Sequence, residues 1–156
     1  MFHWQWKNVF LDEELRMYFG IILGSILLIV LNTRGMYGTL EETIRHTSFQ
    51  VASIITTTGY ATTDFDLWPS FSKGILLVLM VVGACAGSTG GGMKVSRVII
   101  LIKSLVVEVK QMISPKSVVV VRLEEKPVNK QILNSTRIYA AAYLLLVCVF
   151  TLILSL

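Results

Sequence analysis

Three long runs without a charged residue constrain this chain more than any other feature. They are Met17–Thr33, Gly74–Met93 and Ile138–Leu156, and each approaches the roughly 20 apolar residues that a helix needs to cross a bilayer. Only 15% of the residues are charged, against about 25% in a soluble domain. Because a spanning segment must satisfy its own backbone hydrogen bonds, we predict an all-α integral membrane protein. Acidic residues before the first run indicate a span rather than a cleavable signal peptide.

The distribution of charge predicts the orientation. Residues 94–137 hold nine basic and three acidic side chains, a balance of +6, and basic residues gather on the cytoplasmic side of membrane proteins. We therefore place residues 94–137 in the cytoplasm. The flanking spans explain this basic stretch, so we expect the lipid bilayer and no nucleic acid as a partner.

A short helix is predicted between the first two spans. Residues 1–14 form an N-terminal interfacial segment, and the first span follows near residues 15–31. Thr39 with Glu42 three residues later is typical of a capping box, and the helix should run to about Ser53 or Ile55. At about 23 Å it is too short to cross the bilayer. It is either an amphipathic surface helix or a re-entrant half-helix that ends inside the membrane.

The segment after this helix, Thr56–Tyr60, is the candidate ion site. Closely spaced backbone carbonyls can replace the hydration shell of K⁺, threonine keeps a loop narrow, and glycine allows unusual backbone angles. The alternative is an ordinary turn rich in threonine. Asp64 and Asp66 follow, either as cation-attracting residues at an outer mouth or as turn residues. The predicted ligands are Thr56, Thr57, Thr58, Gly59 and Tyr60.

The second span should be broken. Helix-like sequence extends from about Ser70 to Ile113, twice the thickness of the hydrocarbon core if it were straight. Consecutive glycines favour an unwound segment, although tight helix packing explains part of the pattern. The segment is not a phosphate-binding P-loop, because Lys94 is followed by Val95 rather than Ser or Thr. The predicted loop comprises Gly87, Ser88, Thr89, Gly90, Gly91 and Gly92.

The remainder is predicted as a cytoplasmic link, residues 114–134, with a short strand over 117–123, and a third span over 135–156. Two free cysteines and two isolated histidines do not indicate a disulfide or a metal site. No nucleophile–base pair is visible, so the chain is not expected to be an enzyme.

Ser48–Phe65 resembles a filter segment of the Trk/Ktr/HKT potassium transporter family, and Gly87–Lys94 resembles the broken inner helix of its third repeat. The resemblance implies a channel-like pore built from helix–pore-helix–helix repeats. Residues 15–113 would be one such repeat, and residues 135–156 would open the next.

The resemblance also implies an activity and partners. The chain would serve K⁺ uptake across a bacterial inner membrane, with K⁺ as cargo, no cofactor, the filter toward the outside and Gly87–Gly92 as the gate. Expected partners are the remaining repeats of a longer protein, a second copy in a homodimer and a cytoplasmic nucleotide-binding regulatory subunit. The alternatives are a homotetrameric cation channel and a membrane scaffold without transport.

Overall fold

The computed structural model describes residues 12–114, 121–123 and 126–156. The predicted interfacial residues 1–11 and most of the predicted strand, residues 117–120, lie outside these ranges. The chain divides into two compact units, one ending at Val95 and the other beginning at Ser96. The helices are α1 (Glu13–Asn32), α2 (Leu40–Ile55), a 3-10 turn (Phe65–Leu67), α3 (Ser70–Val82), α4 (Val95–Ile113) and α5 (Lys130–Leu154).

Helix α1 begins at a side-chain cap. A carboxylate oxygen of Asp12 accepts hydrogen bonds from the backbone N–H groups of Glu14, at 2.8 Å, and Leu15, at 3.4 Å. Two acidic residues in the first turn suit the positive end of the helix dipole. The helix bounds agree with the first predicted span.

Helix α2 begins at the predicted cap. The Thr39 hydroxyl accepts the backbone N–H of Glu42 at 3.2 Å, and the helix ends at Ile55. Its 16 residues extend about 24 Å at 1.5 Å per residue. It is therefore shorter than a bilayer core of about 30 Å.

Helices α1, α2 and α3 pack against one another in the first unit. Their shared core consists of apolar side chains that are almost fully buried and pack against one another. One polar contact joins α1 to α3, where the Asn32 amide donates to the Ser72 hydroxyl at 2.9 Å. The core residues are Ile29, Val51, Ile55, Trp68, Leu76 and Leu79.

The predicted break in the second span is confirmed. Helix α3 stops at Val82, Gly83 takes a φ of +64°, and α4 starts at Val95. Among the described residues, α1 and α5 are long and apolar enough to cross a membrane, and α3 is a shorter apolar helix.

The second unit contains α4, a two-stranded hairpin and α5. Strands β1 (Arg122–Leu123) and β2 (Lys126–Pro127) pair antiparallel. Helix α5 begins at Lys130, where Asn129 caps it by accepting the N–H of Gln131. From α5, Arg137 bonds both Ser104 and Glu108 on α4, and the Arg97 guanidinium lies 4.1 Å from the centre of the Tyr139 ring.

Candidate functional site

The threonine loop, Thr56–Tyr60, turns its N–H groups back toward the end of α2. The N–H of Thr57 bonds the Ile54 carbonyl at 3.0 Å, and the next two N–H groups bond the Ser53 carbonyl at 2.9 and 3.4 Å. No donor in the described parts of the chain bonds the carbonyl oxygens of the four residues before Tyr60. The N–H groups of Thr56 to Gly59 are therefore all bonded, whereas the carbonyl oxygens of the same four residues have no partner among the described residues.

The sign of the backbone φ angle changes along this loop. Thr56 has φ −85°, Thr57 has φ +58° and Gly59 has φ +80°. In extended backbone, successive carbonyl groups point to opposite sides. A change in the sign of φ offsets that reversal, so successive carbonyl groups can point to the same side. Among the described residues, Thr57 is the only non-glycine with a positive φ, a true outlier for a β-branched side chain.

Side chains fix the two ends of the loop. The Thr56 hydroxyl donates to the Ala52 carbonyl at 2.6 Å and lies 2.8 Å from the Thr58 hydroxyl. At the other end, the Ser53 hydroxyl donates to the carbonyl of Tyr60 at 2.5 Å. Tyr60 thus differs from the other four predicted ligands, since its carbonyl already has a partner.

A polar cluster that the sequence did not predict braces the segment after the loop. The Trp68 indole N–H donates to the Tyr37 hydroxyl at 2.9 Å, and that hydroxyl lies 3.3 Å from the Thr63 hydroxyl. His46 stacks on Tyr37, with ring centres 5.1 Å apart, and its Nδ1 lies 3.1 Å from the Thr62 hydroxyl. Aromatic and hydroxyl residues occur on both sides of α2 in the sequence, but no pattern specifies which of them pair.

The two predicted acidic residues occupy a turn. A carboxylate oxygen of Asp64 accepts the N–H of Asp66 at 3.0 Å and so caps the 3-10 turn. The Asp66 backbone carbonyl accepts the Lys73 ammonium at 3.0 Å. The turn interpretation thus accounts for Asp64 through its side chain and for Asp66 through its backbone.

The glycine loop, Gly83–Lys94, is closed at its base. The N–H of Met93 bonds the Val81 carbonyl at 3.0 Å, and the N–H of Val95 bonds the Ala84 carbonyl at 3.2 Å. The chain crosses itself here without room for side chains, because a Cβ added to Gly83 would overlap the Gly91 carbonyl oxygen and lie 3.1 Å from the Gly92 Cα.

Two charged side chains hold the tip of the glycine loop. The Lys94 ammonium donates to the carbonyls of Ser88, at 2.6 Å, and Gly90, at 3.2 Å. A carboxylate oxygen of Glu14, in the first turn of α1, accepts the N–H of Ala86 at 2.5 Å. Bonds to charged groups are about twice as strong as neutral ones, so the loop has a defined conformation.

The two loops meet at one hydrogen bond. The N–H of Gly91 donates to the Thr57 hydroxyl at 3.2 Å. The structure therefore brings together the two segments that the sequence singled out independently.

Comparison with known proteins identifies the family. The family described as TrkH, cation transport protein, matches residues 19–156. This chain belongs to the TrkH cation transport family. The TrkH-family chain is a membrane protein with two candidate spans among its described helices.

Individual relatives agree with this membership. The Trk system potassium uptake protein TrkH of Halomonas elongata is 37% identical over 141 residues, which cover 89% of this chain and 29% of that protein. The protein of the same name from Escherichia coli K12 is 36% identical over 136 residues, 86% of this chain and 28% of that protein.

A solved structure resembles the fold. The crystal structure of the potassium transporter TrkH from Vibrio parahaemolyticus matches with a TM-score of 0.86 and 32% identity, over 94% of this chain and 32% of that one. The TrkH-family chain therefore spans less than a third of the length of each of these relatives.

Proposed function

We propose that this chain contributes one wall of a potassium pore in a Trk-type uptake transporter. The observation that supports it is the set of four consecutive carbonyl oxygens, Thr56 to Gly59, that accept from no donor in the described part of the chain, while the N–H groups of the same four residues bond the end of α2. A dehydrated cation needs several oxygens facing one point. The Tyr60 carbonyl, which accepts the Ser53 hydroxyl, is the least available of the predicted ligands.

Helix α2 serves as a re-entrant pore helix in this proposal. Its C-terminal end carries the negative end of the helix dipole and leads directly into the threonine loop. Irregular backbone at membrane depth requires a protein or water-lined environment. The other walls would come from further repeats of a longer polypeptide, consistent with the share of each relative that the chain covers.

Residues Gly87–Gly92 of the glycine loop are the proposed gate on the inner side of the filter. Its contact with the threonine loop and the unwound stretch between α3 and α4 support this role. With the filter toward the outside, the basic residues of 94–137 face the cytoplasm of a bacterial cell, where a nucleotide-binding regulatory subunit would dock. A homodimer of the complete transporter is part of the same proposal.

Selectivity is tested by Gly59→Ser in the complete transporter that contains this chain. Gly59 has φ +80° and nothing within 4 Å of an added Cβ, so serine strains the backbone without a clash. The matched control is Gly35→Ser, at φ +100° with equally open surroundings, in the turn between α1 and α2. We expect Gly59→Ser, and not Gly35→Ser, to lower the ratio of K⁺ to Na⁺ uptake in proteoliposomes. An unchanged ratio in Gly59→Ser would refute the proposed filter.

A further inference from the structure

One hydrogen bond joins the threonine loop to the glycine loop within the first unit. It links residues 34 positions apart, from the Gly91 N–H to the Thr57 hydroxyl. The glycine loop lies against the same side chain over two residues: a Cβ added to Gly90 would be 3.6 Å from Thr57 Oγ1, and one added to Gly91 would be 3.8 Å from Thr57 Cγ2. Thr57 therefore bonds the glycine loop through its hydroxyl, and its methyl group lies near the place that a side chain at position 91 would occupy.

Thr57 is also the strained residue of the threonine loop. A β-branched residue at φ +58° persists only where its surroundings hold it. The bond from the backbone N–H to Ile54 holds one side, and the bond from Gly91 to the hydroxyl holds the other. If the glycine loop withdraws, the second restraint is lost and the carbonyl of Thr57 is free to turn away from its neighbours.

We propose that Thr57 is a positioning residue whose side chain couples the glycine loop to ion binding at the threonine loop. The inference rests on the proposed function. K⁺ bound by the aligned carbonyls stabilises the Thr57 conformation that reaches Gly91, and the contact with Gly91 stabilises that same alignment. Coupling between two sites is reciprocal, so K⁺ and the seated glycine loop each raise the population of the other by one common factor. A neutral hydrogen bond corresponds to roughly a twofold to tenfold factor.

Accessibility of the glycine loop measures this factor. Thr89 is exposed on the loop, so Thr89→Cys provides a reporter in the complete transporter once Cys85 and Cys148, both free thiols, are replaced by serine. The measurement is the rate of maleimide labelling in K⁺ and in choline, at equal ionic strength. In this background, K⁺ should slow the labelling twofold to tenfold.

Substitutions at Thr57 then test the coupling. Thr57→Val keeps the shape and removes the hydroxyl, so labelling should become equal in K⁺ and choline. Thr57→Ser keeps the hydroxyl and should retain the K⁺ effect. Thr57→Ala removes the hydroxyl without β-branching and gives a second test if the valine variant fails to fold. The matched control is Thr62→Val, which removes a hydroxyl that bonds His46 instead of the glycine loop, and it should retain the K⁺ effect.

The outcomes separate this inference from the proposed function. A K⁺ effect that survives in Thr57→Val or Thr57→Ala, or that is lost equally in Thr62→Val, overturns the coupling. Labelling independent of K⁺ in the reporter background, with K⁺ uptake intact, also overturns the coupling and leaves the proposed filter standing. Absence of K⁺ uptake by the complete transporter without substitutions, folded and reconstituted, argues against the proposed function itself.

Discussion

Replacing Gly83 by alanine is the most direct test of the crossing at the base of the glycine loop. The methyl group would overlap the Gly91 carbonyl oxygen and lie 3.1 and 3.2 Å from two backbone atoms of Gly92. All of these atoms belong to the backbone, so no flexible side chain can move aside. Relief requires separating the two chain segments that cross there.

The expected magnitude has two parts. Gly83 lies at φ +64° and ψ −165°, a region that essentially only glycine occupies, and a side chain there costs about 1–3 kcal/mol. Forced overpacking costs about another 1–3 kcal/mol. The sum, roughly 2–6 kcal/mol, is a large fraction of the 5–15 kcal/mol that typically stabilises a folded protein.

Two alanine variants in the same loop serve as controls. Gly87 has φ +84° with open space around it, so Gly87→Ala adds backbone strain alone. Gly91 has no left-handed φ, and its added Cβ would meet only Thr57 Cγ2 at 3.8 Å, an ordinary contact. The apparent melting temperature of the detergent-solubilised transporter should therefore fall most for Gly83→Ala, less for Gly87→Ala and least for Gly91→Ala. A Gly83→Ala protein as stable as Gly91→Ala would show that the crossing is not formed as described.

Three further changes test the contacts around the two loops. Lys94→Gln removes an ammonium that bonds two loop carbonyls and should raise maleimide labelling of the glycine loop severalfold, with Lys110→Gln in the last turn of α4 as a neutral comparison. Ser53→Ala removes the donor to the Tyr60 carbonyl and should weaken K⁺-dependent thermal stabilisation, a result contradicted if the K⁺-induced shift is unchanged. Thr39→Ala removes the α2 cap and should destabilise the protein by about 1 kcal/mol, read as a lower unfolding midpoint in denaturant.

Local rules were sufficient for the helix boundaries of the first unit. Short-range chemistry accounts for three boundaries: the cap at Thr39, the end of α2 beside Ile55 and the break after Val82. A hydroxyl satisfies unpaired N–H groups at the cap, and glycine disfavours helix at the break. Each depends on residues within a few positions of one another, which is the range that a sequence pattern encodes. The start of α5 at Lys130 could not be predicted in the same way, because apolar composition marks the membrane portion of a helix and not its polar first turns.

Contacts between distant residues could not be predicted. The bond from Gly91 to Thr57 and that from Ala86 to Glu14 join segments 34 and 72 positions apart, and neither pair has a pattern of its own. The left-handed φ of Thr57 was equally hidden, because threonine is a residue that disfavours it. Gly59 indicated an unusual backbone angle, whereas nothing about Thr57 indicated one.

Lys94, at the end of the glycine loop, has a consequence for a cation that has passed the threonine loop of the proposed pore. Its ammonium carries the same single positive charge as K⁺ and already bonds the Ser88 and Gly90 carbonyl oxygens. A migrating cation finds those oxygens taken and a like charge beside them, so this stretch offers it no resting place. In the proposed pore, the Lys94 ammonium would therefore shorten the time that K⁺ spends beside the glycine loop.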